Sequence, residues 1–160
     1  MSKITVYFLT VFLSFLPVSE LRGAIPFAMA NQVPWYTAFV LAVFCNSLVA
    51  PVCWIFLSTL HRLFLKMEWY KRFFENFIER ARNKLHKNVE RWGWLGVALF
   101  VAIPLPLTGA WTGTLGAWVL GLSRRRTMAA VILGVVAAGV IVTSVILLGI
   151  QALTLFIKKI

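Results

Sequence analysis

Apolar residues run almost without interruption over 4–17, 35–61, 94–122 and 127–157, and only the stretch 62–92 mixes them with charge. Residues 35–61, "WYTAFVLAVFCNSLVAPVCWIFLSTLH", predict a membrane-spanning helix, since a span takes about 20 mainly apolar residues. Trp35 and Tyr36 suit one interface, and His61 with Arg62 the other. Pro51 predicts a kink. Asn46, roughly one turn earlier, is placed to satisfy a freed backbone group or to line a polar path. Residues 127–157 predict a second long span, closed by Lys158 and Lys159. The other two runs are broken. The run 4–17 is short for a span and ends at Pro17, and 94–122 is interrupted by "IPLPLTG" at 103–109, where two prolines two apart cannot continue a regular helix.

Between these, apolar positions recur at Leu63, Met67, Tyr70, Phe74, Phe77/Ile78, Ala81, Leu85, Val89 and Trp92. Steps of three and four mark a helix with one apolar face. Its other face carries nine Lys/Arg and four Glu, which predicts an amphipathic helix lying on the bilayer. The alternative is a soluble helical hairpin.

The two halves of the chain resemble each other. The first has an apolar run, Pro17, Gly23-Ala24 and a long helix; the second has an apolar run, Pro104, Gly109-Ala110 and a long helix. Charge chooses the topology. If 94–122 crossed the membrane, the basic 62–92 stretch and Arg124-Arg125-Arg126 would lie on opposite faces, against the positive-inside bias. If 94–122 dives in and returns, both lie on the cytoplasmic side. The expected fold is therefore an all-α integral membrane protein with one membrane domain over 1–160. It is an inverted repeat of two units, each a re-entrant helical hairpin (4–34, 94–122) followed by a transmembrane helix (35–61, 127–157). An amphipathic interfacial helix (62–92) joins them. Arms of 10–13 residues, roughly 15–20 Å as helix, bring each tip to the middle of a ~30 Å core. Pro17, Gly23 and Pro26 mark the first tip, and Pro104, Pro106 and Gly109 the second.

Composition sharpens this picture. The chain is 61% hydrophobic and 13% charged, more apolar than soluble domains at about 45–50%. Sixteen Lys+Arg against five acidic residues give +11. Because the basic stretches flank apolar segments, the expected partners are the bilayer and its anionic lipids, not nucleic acid. The expected location is the plasma membrane. A signal peptide ending near "AMA" at 28–30 is a weaker reading, since an acid and a base precede that site. Cys45 and Cys53, eight apart on one predicted helix, are too distant for a disulfide. No cluster has metal-ligand spacing, so neither metal nor cofactor is expected. No catalytic constellation is present, so an enzyme acting on lipid is a distant reading.

Glu20 and Arg22 are the only charged residues between Lys3 and Arg62. Ionisable groups at membrane depth are costly and usually line a pathway. The pair staples the hairpin to itself, or each member faces a separate partner. The opposite tip offers Thr108, Thr112 and the Trp111 indole, and a helix starting near Gly109 presents free N–H groups suited to an anion. The functional expectation is a midplane site in which Arg22 and helix N-termini bind an anionic group. Glu20 then carries a coupling proton, its proton affinity open to tuning by burial and by Arg22. A structural Glu–Arg pair is the bland alternative. Asn46, Thr108, Trp111 and Thr112 are further pathway candidates. A thin wall of two spans and two hairpins predicts a homodimer, with the stripe Gly109, Gly113, Ala117, Gly121 and the regions of Gly134 and Gly139 as candidate contacts.

"ELRGAIP" (20–26), Asn46 followed by Pro51, and "VAIPLPLTGAWTGTLGAWVLGL" (101–122), continued by Arg124–Arg126, resemble the prokaryotic small multidrug export proteins. That family usually has Pro-Gly-Thr-Gly where this chain has Pro106-Leu107-Thr108-Gly109, which makes this tip stiffer. The family is similar to the DedA/VTT group, and the resemblance implies paired re-entrant hairpins in an inverted repeat. It also implies proton-dependent transport of anionic lipids such as polyprenyl phosphate, or lipid scrambling. Only Glu20 and Arg22 carry over; the group's second-hairpin arginines have no counterpart at this tip. The expected function is thus a DedA-like, proton-coupled transporter of an anionic amphiphile. A small multidrug exporter of cations and a non-transporting scaffold holding anionic lipid or a protein are the alternatives.

Overall fold

A computed structural model describes residues 2–59, 92–105 and 108–157, with side chains as far as residue 150. Most of the expected amphipathic helix, Pro106, Lys158 and Lys159 lie outside the described residues. Among those described there are six helices and no strand: α1 (Lys3–Phe15), α2 (Glu20–Ala30), α3 (Trp35–Thr59), α4 (Trp94–Ala102), α5 (Ala110–Val119) and α6 (Arg124–Ile157).

Local chemistry explains the boundaries. Ser2 caps α1 by accepting the Thr5 N–H at 3.2 Å. Pro17 ends α1, because the residue before proline is driven out of the helical region, and Leu16 is extended at φ −68°, ψ 132°. Within α1 the buried hydroxyls of Thr10 and Ser14 donate to the Val6 and Thr10 carbonyls, each at 2.7 Å, so they need no partner elsewhere. The second arms, α2 and α5, end alike. The Leu122 N–H donates to Ala117 O at 3.0 Å and the Gly121 N–H to Trp118 O at 3.1 Å, and the Val33 and Gln32 N–H groups donate to Ala28 O and Met29 O at 3.1 Å. Both are Schellman stops, with Gly121 (φ 72°) and Gln32 (φ 64°) in the left-handed position.

Two details differ from the sequence reading. The first tip was expected to be non-helical from Pro17 to Gly23, but α2 already begins at Glu20, so the break is confined to Leu16–Ser19. Pro26 does not mark a tip; it sits inside α2, where its missing N–H leaves the Arg22 carbonyl unpaired by the helix.

Contacts set the arrangement. Lys3, Val6 and Tyr7 at the start of α1 lie beside Ala30–Pro34 at the end of α2. Gly93 and Trp94 at the start of α4 lie beside Gly121–Ser123 and Arg126. Each pair of short helices therefore folds back on itself as a hairpin. α3 leaves the mouth of the first hairpin, passes the tips at Asn46, and packs Cys53 and Leu57 against Leu115 in the second. α6 runs the other way, from the second mouth past Val101 at Gly134 to Phe39 and Val43 at Gly139. The two mouths thus lie at opposite ends and the tips meet between them.

Small residues permit this closeness. A Cβ on Gly134 would fall 2.6 Å from Val101 Cβ and 2.7 Å from the Ala98 carbonyl oxygen, and one on Gly139 would fall 2.7 Å from Val43. Gly113 packs against Val101 in the same way, and Ala117 is fully buried. Gly113, Gly134 and Gly139, which the sequence reading offered to a homodimer face, therefore pack the chain's own helices, while Gly121, offered with them, has nothing among the described residues within 4 Å of a Cβ.

α3 and α6 carry apolar windows of mean hydropathy 2.2 and 2.9, long enough to cross a membrane. Only 39% and 33% of those windows is buried inside the fold. The outer faces display Val40, Phe44, Leu48 and Val52 on α3, and Ile132, Leu133, Val136 and Val140 on α6. That surface calls for lipid as its solvent.

Candidate functional site

Where the two tips meet, each supplies what the other lacks. α5 opens with N–H groups that no helical carbonyl can reach. The Glu20 carboxylate fills that place: Ala110 N–H donates to Oε2 at 3.3 Å and Trp111 N–H to Oε1 at 3.4 Å. The positive end of the α5 dipole favours the charge there. Glu20 is 5% exposed, and its own backbone has φ 49°, a left-handed conformation that residues with a side chain rarely adopt. Gly109 makes room for it: a Cβ at that position would overlap the carboxylate.

Arg22 reaches the same turn with the opposite charge. Its Nη1 donates to the Leu105 carbonyl and its Nη2 to Thr108 Oγ1 at 3.0 Å. Pro104 and Pro106 contribute no backbone N–H, so this turn has carbonyls to spare and few donors to offer them. A planar guanidinium fork serves two such acceptors at once. The Thr108 hydroxyl knots the turn further, lying 2.6 Å from Ile103 O and 2.7 Å from Leu105 O, and accepting the Leu105 N–H at 3.2 Å. Trp111 spans the gap in the other direction, its Nε1–H donating to the Phe15 carbonyl at 3.0 Å. That carbonyl lies in the last turn of α1, whose acceptors the helix cannot satisfy itself.

The acid and base thus face separate partners across the interface and do not staple one hairpin. The helix N-terminus expected to receive a ligand's anionic group is occupied by the chain's own carboxylate. Asn46 enters from α3 at the level of the tips. Its amide is fully buried and faces the Glu20 carboxylate, yet neither Nδ2 nor Oδ1 makes a hydrogen bond of normal geometry. Arg22 Nε is also buried without one. Leaving a buried polar group unsatisfied costs about 1–3 kcal/mol, so this cluster holds polar capacity that the resting arrangement does not use. Asn46 does not serve the carbonyl freed by Pro51.

The remaining candidates are peripheral. Thr112 is half-buried and its hydroxyl donates to Gly109 O at 3.3 Å, within its own helix. Gly23 lets the first turn of α2 sit against Ser19, whose hydroxyl a Cβ would strike. Pro17 is exposed at the outer side of the turn. Among the described residues no group of His, Cys, Asp or Glu could hold a metal ion, and Cys45 and Cys53 are free thiols.

The sequence reading missed two backbone acceptors, Leu105 O and Phe15 O. A usable signal was present in both places: a Pro-x-Pro turn and a proline-terminated helix each leave carbonyls without amide partners, and an Arg and a Trp indole lie opposite. Residues 20–141 match the family described as "Putative small multi-drug export protein". No curated protein and no solved structure matches the chain.

Proposed function

The chain belongs to the small multi-drug export family, which implies a membrane transporter rather than an enzyme, and from that premise we propose a proton-coupled carrier whose coupling group is Glu20. The observation that supports this reading is the Glu20 carboxylate seated on the N-terminus of a helix from the opposite hairpin. α3 is 25 residues long, about 38 Å, and Asn46, level with the tips, lies at its middle. In this reading the hairpins are re-entrant, the two units form an inverted repeat, and the carboxylate sits at mid-depth in the plasma membrane. The basic 62–92 stretch and Arg124–Arg126 then face the cytoplasm.

The proposed cycle follows from charge. Ionised, Glu20 is held by two N–H groups and the α5 dipole. Protonated, it loses the charge that this place favours, and the N–H groups of Ala110 and Trp111 open to another anion. Proton and anion binding then reinforce each other, and that coupling is reciprocal. Arg22, fixed by Leu105 and Thr108, keeps the local potential positive. The proposed substrate is an anionic amphiphile such as a lipid or polyprenyl phosphate, admitted from the bilayer between the tips. A homodimer would close the thin wall, using outer faces of the helices.

A second reading, export of cationic compounds, is favoured by the family's description. The two differ in sign. An anion that binds when Glu20 is protonated travels with the proton, whereas a cation that binds the carboxylate is exchanged against it. The test is transport in proteoliposomes with a pH gradient imposed in each direction, using a fluorescent polyprenyl-phosphate analogue and a cationic dye. Wild type should move the phosphate analogue toward the alkaline side, Glu20→Gln should lose the response to the gradient, and Arg22→Ala should lose transport. Movement of the dye alone, toward the acidic side, would replace the anionic reading with the cationic one. Silence with both probes would leave Glu20 and Arg22 as a structural clasp between the tips.

A further inference from the structure

The amide of Asn46 is a fully buried group at the tips that the cycle above leaves unused. It is 0% exposed, neither of its polar atoms makes a hydrogen bond of normal geometry, and from α3 it lies close enough to act on the Glu20 carboxylate. On the α5 side Gly109 leaves no room behind the carboxylate, and the two N–H bonds, long at 3.3 and 3.4 Å, hold it only weakly. On the α3 side the amide donor lies near the carboxylate without a well-formed bond, and the amide acceptor has no partner among the described residues.

We propose that Asn46 is the receiving site for Glu20 in its protonated state. A carboxylic acid carries one O–H donor and one carbonyl acceptor; a primary amide offers the matching acceptor and donor. On taking up a proton from the aqueous phase, Glu20 leaves the α5 N-terminus, donates its O–H to Asn46 Oδ1 and accepts from Asn46 Nδ2. This pairing satisfies both the donor and the acceptor of the amide and holds the acid away from Ala110 N–H and Trp111 N–H, so that an anionic headgroup finds them free. Asn46 is then a positioning residue: it touches the proton-carrying group and not the substrate. The inference rests on the proton-coupled reading and adds to it the place where the proton is held.

Charged and polar groups act on Glu20 from three helices. Arg22 comes from α2, the two backbone N–H groups from α5, and the Asn46 amide from α3. Lys3 and Tyr7 of α1 line the mouth of the first hairpin, and Arg126 of α6 lines the other mouth. An uncharged amide is therefore the available partner for an uncharged acid. The arrangement also gives a physical reason for a buried amide without well-formed bonds: only the protonated acid matches both its donor and its acceptor.

The test is infrared difference spectroscopy of the full chain in lipid vesicles, titrated from about pH 4 to about pH 10. Wild type, Glu20→Gln, Asn46→Leu and Asn46→Ser are compared, each first checked for helical content. Wild type should show a pH-dependent carboxylic C=O band that Glu20→Gln removes. In Asn46→Leu the band should move to the higher frequency of a carbonyl without a hydrogen-bond donor. Asn46→Ser, the milder change, should move it part of the way and serves if the leucine variant does not fold. A Glu20 band at an unchanged frequency in a folded Asn46 variant would overturn this inference and leave the proton-coupled reading intact. Absence of any band sensitive to Glu20→Gln would overturn both.

Discussion

Gly109→Ala adds one methyl group at the point where the two hairpins touch, and its cost can be worked from the structure. Gly109 has φ 169°, extended backbone open to alanine, so the substitution carries no backbone strain. The new Cβ would instead overlap the Glu20 carboxylate. The carboxylate must move, and its bonds from Ala110 and Trp111 are lost. Hydrogen bonds to a charged group contribute about 1.5–3 kcal/mol each. Lengths of 3.3 and 3.4 Å place these two at the weak end, about 3 kcal/mol together. Removing the obstacle should remove the penalty. In a Glu20→Ala background the same methyl enters empty space and should cost below about 0.5 kcal/mol, leaving a coupling energy of about 2.5 kcal/mol between positions 20 and 109. Tryptophan fluorescence during unfolding in mixed micelles reads all four stabilities. Equal losses in both backgrounds would show that Gly109 is needed for some reason other than the carboxylate, and the placement of Glu20 on α5 would fall.

Other perturbations probe the same interface and its support. Arg22→Lys keeps the charge but replaces a fork by a point donor; it should lose one of its two acceptors, lower stability by about 1.5–3 kcal/mol and slow transport, and full activity would show that the fork at Leu105 and Thr108 is dispensable. Trp111→Phe removes the bond to Phe15 O and should cost about 1 kcal/mol, with faster amide exchange at the end of α1; unchanged exchange there would refute the role given to the indole. Gly134→Val should wedge α4 from α6, since the Ala98 backbone carbonyl cannot yield as a flexible side chain would, at about 1–3 kcal/mol. Gly149→Val, with nothing within 4 Å of its Cβ, is the control. Similar stabilities for the two valine variants would contradict the close packing of α6 on α4.

Much of the fold was legible because its cues are local. Proline at 17 and the Pro104-x-Pro106 pair stop helices by steric clash and by missing N–H groups, and the unbroken run from Trp35 can only be a long helix. Hence the helix breaks and the order of the helices among the described residues could be read directly. The exact first residue of α2 could not, because Glu20 is held in a left-handed conformation by contacts with a segment some ninety residues away. The glycines of α5 and α6 were recognisable as close-packing sites, but a stripe of small residues does not say which helix will fill it. α4 fills the places at Gly113 and Gly134 and α3 the place at Gly139, while Gly121 and Gly149 have nothing among the described residues within 4 Å of a Cβ.

The candidate site divides along the same line. An acid and a base alone in a long apolar stretch were conspicuous from the sequence, since burial of charge in an apolar chain demands an explanation. Their partners were not. A hydrogen bond is a short-range, directional interaction, and whether Glu20 meets Arg22 two residues away or Ala110 ninety residues away depends on where the second hairpin tip lies. Sequence spacing carries no information on that distance. The chain by itself determined that there would be broken helices, bare carbonyls and two ionisable groups needing company; only the meeting of the tips decided that the acid would close the opposite helix, that the arginine would close the opposite turn, and that the amide of Asn46 would face them unpaired.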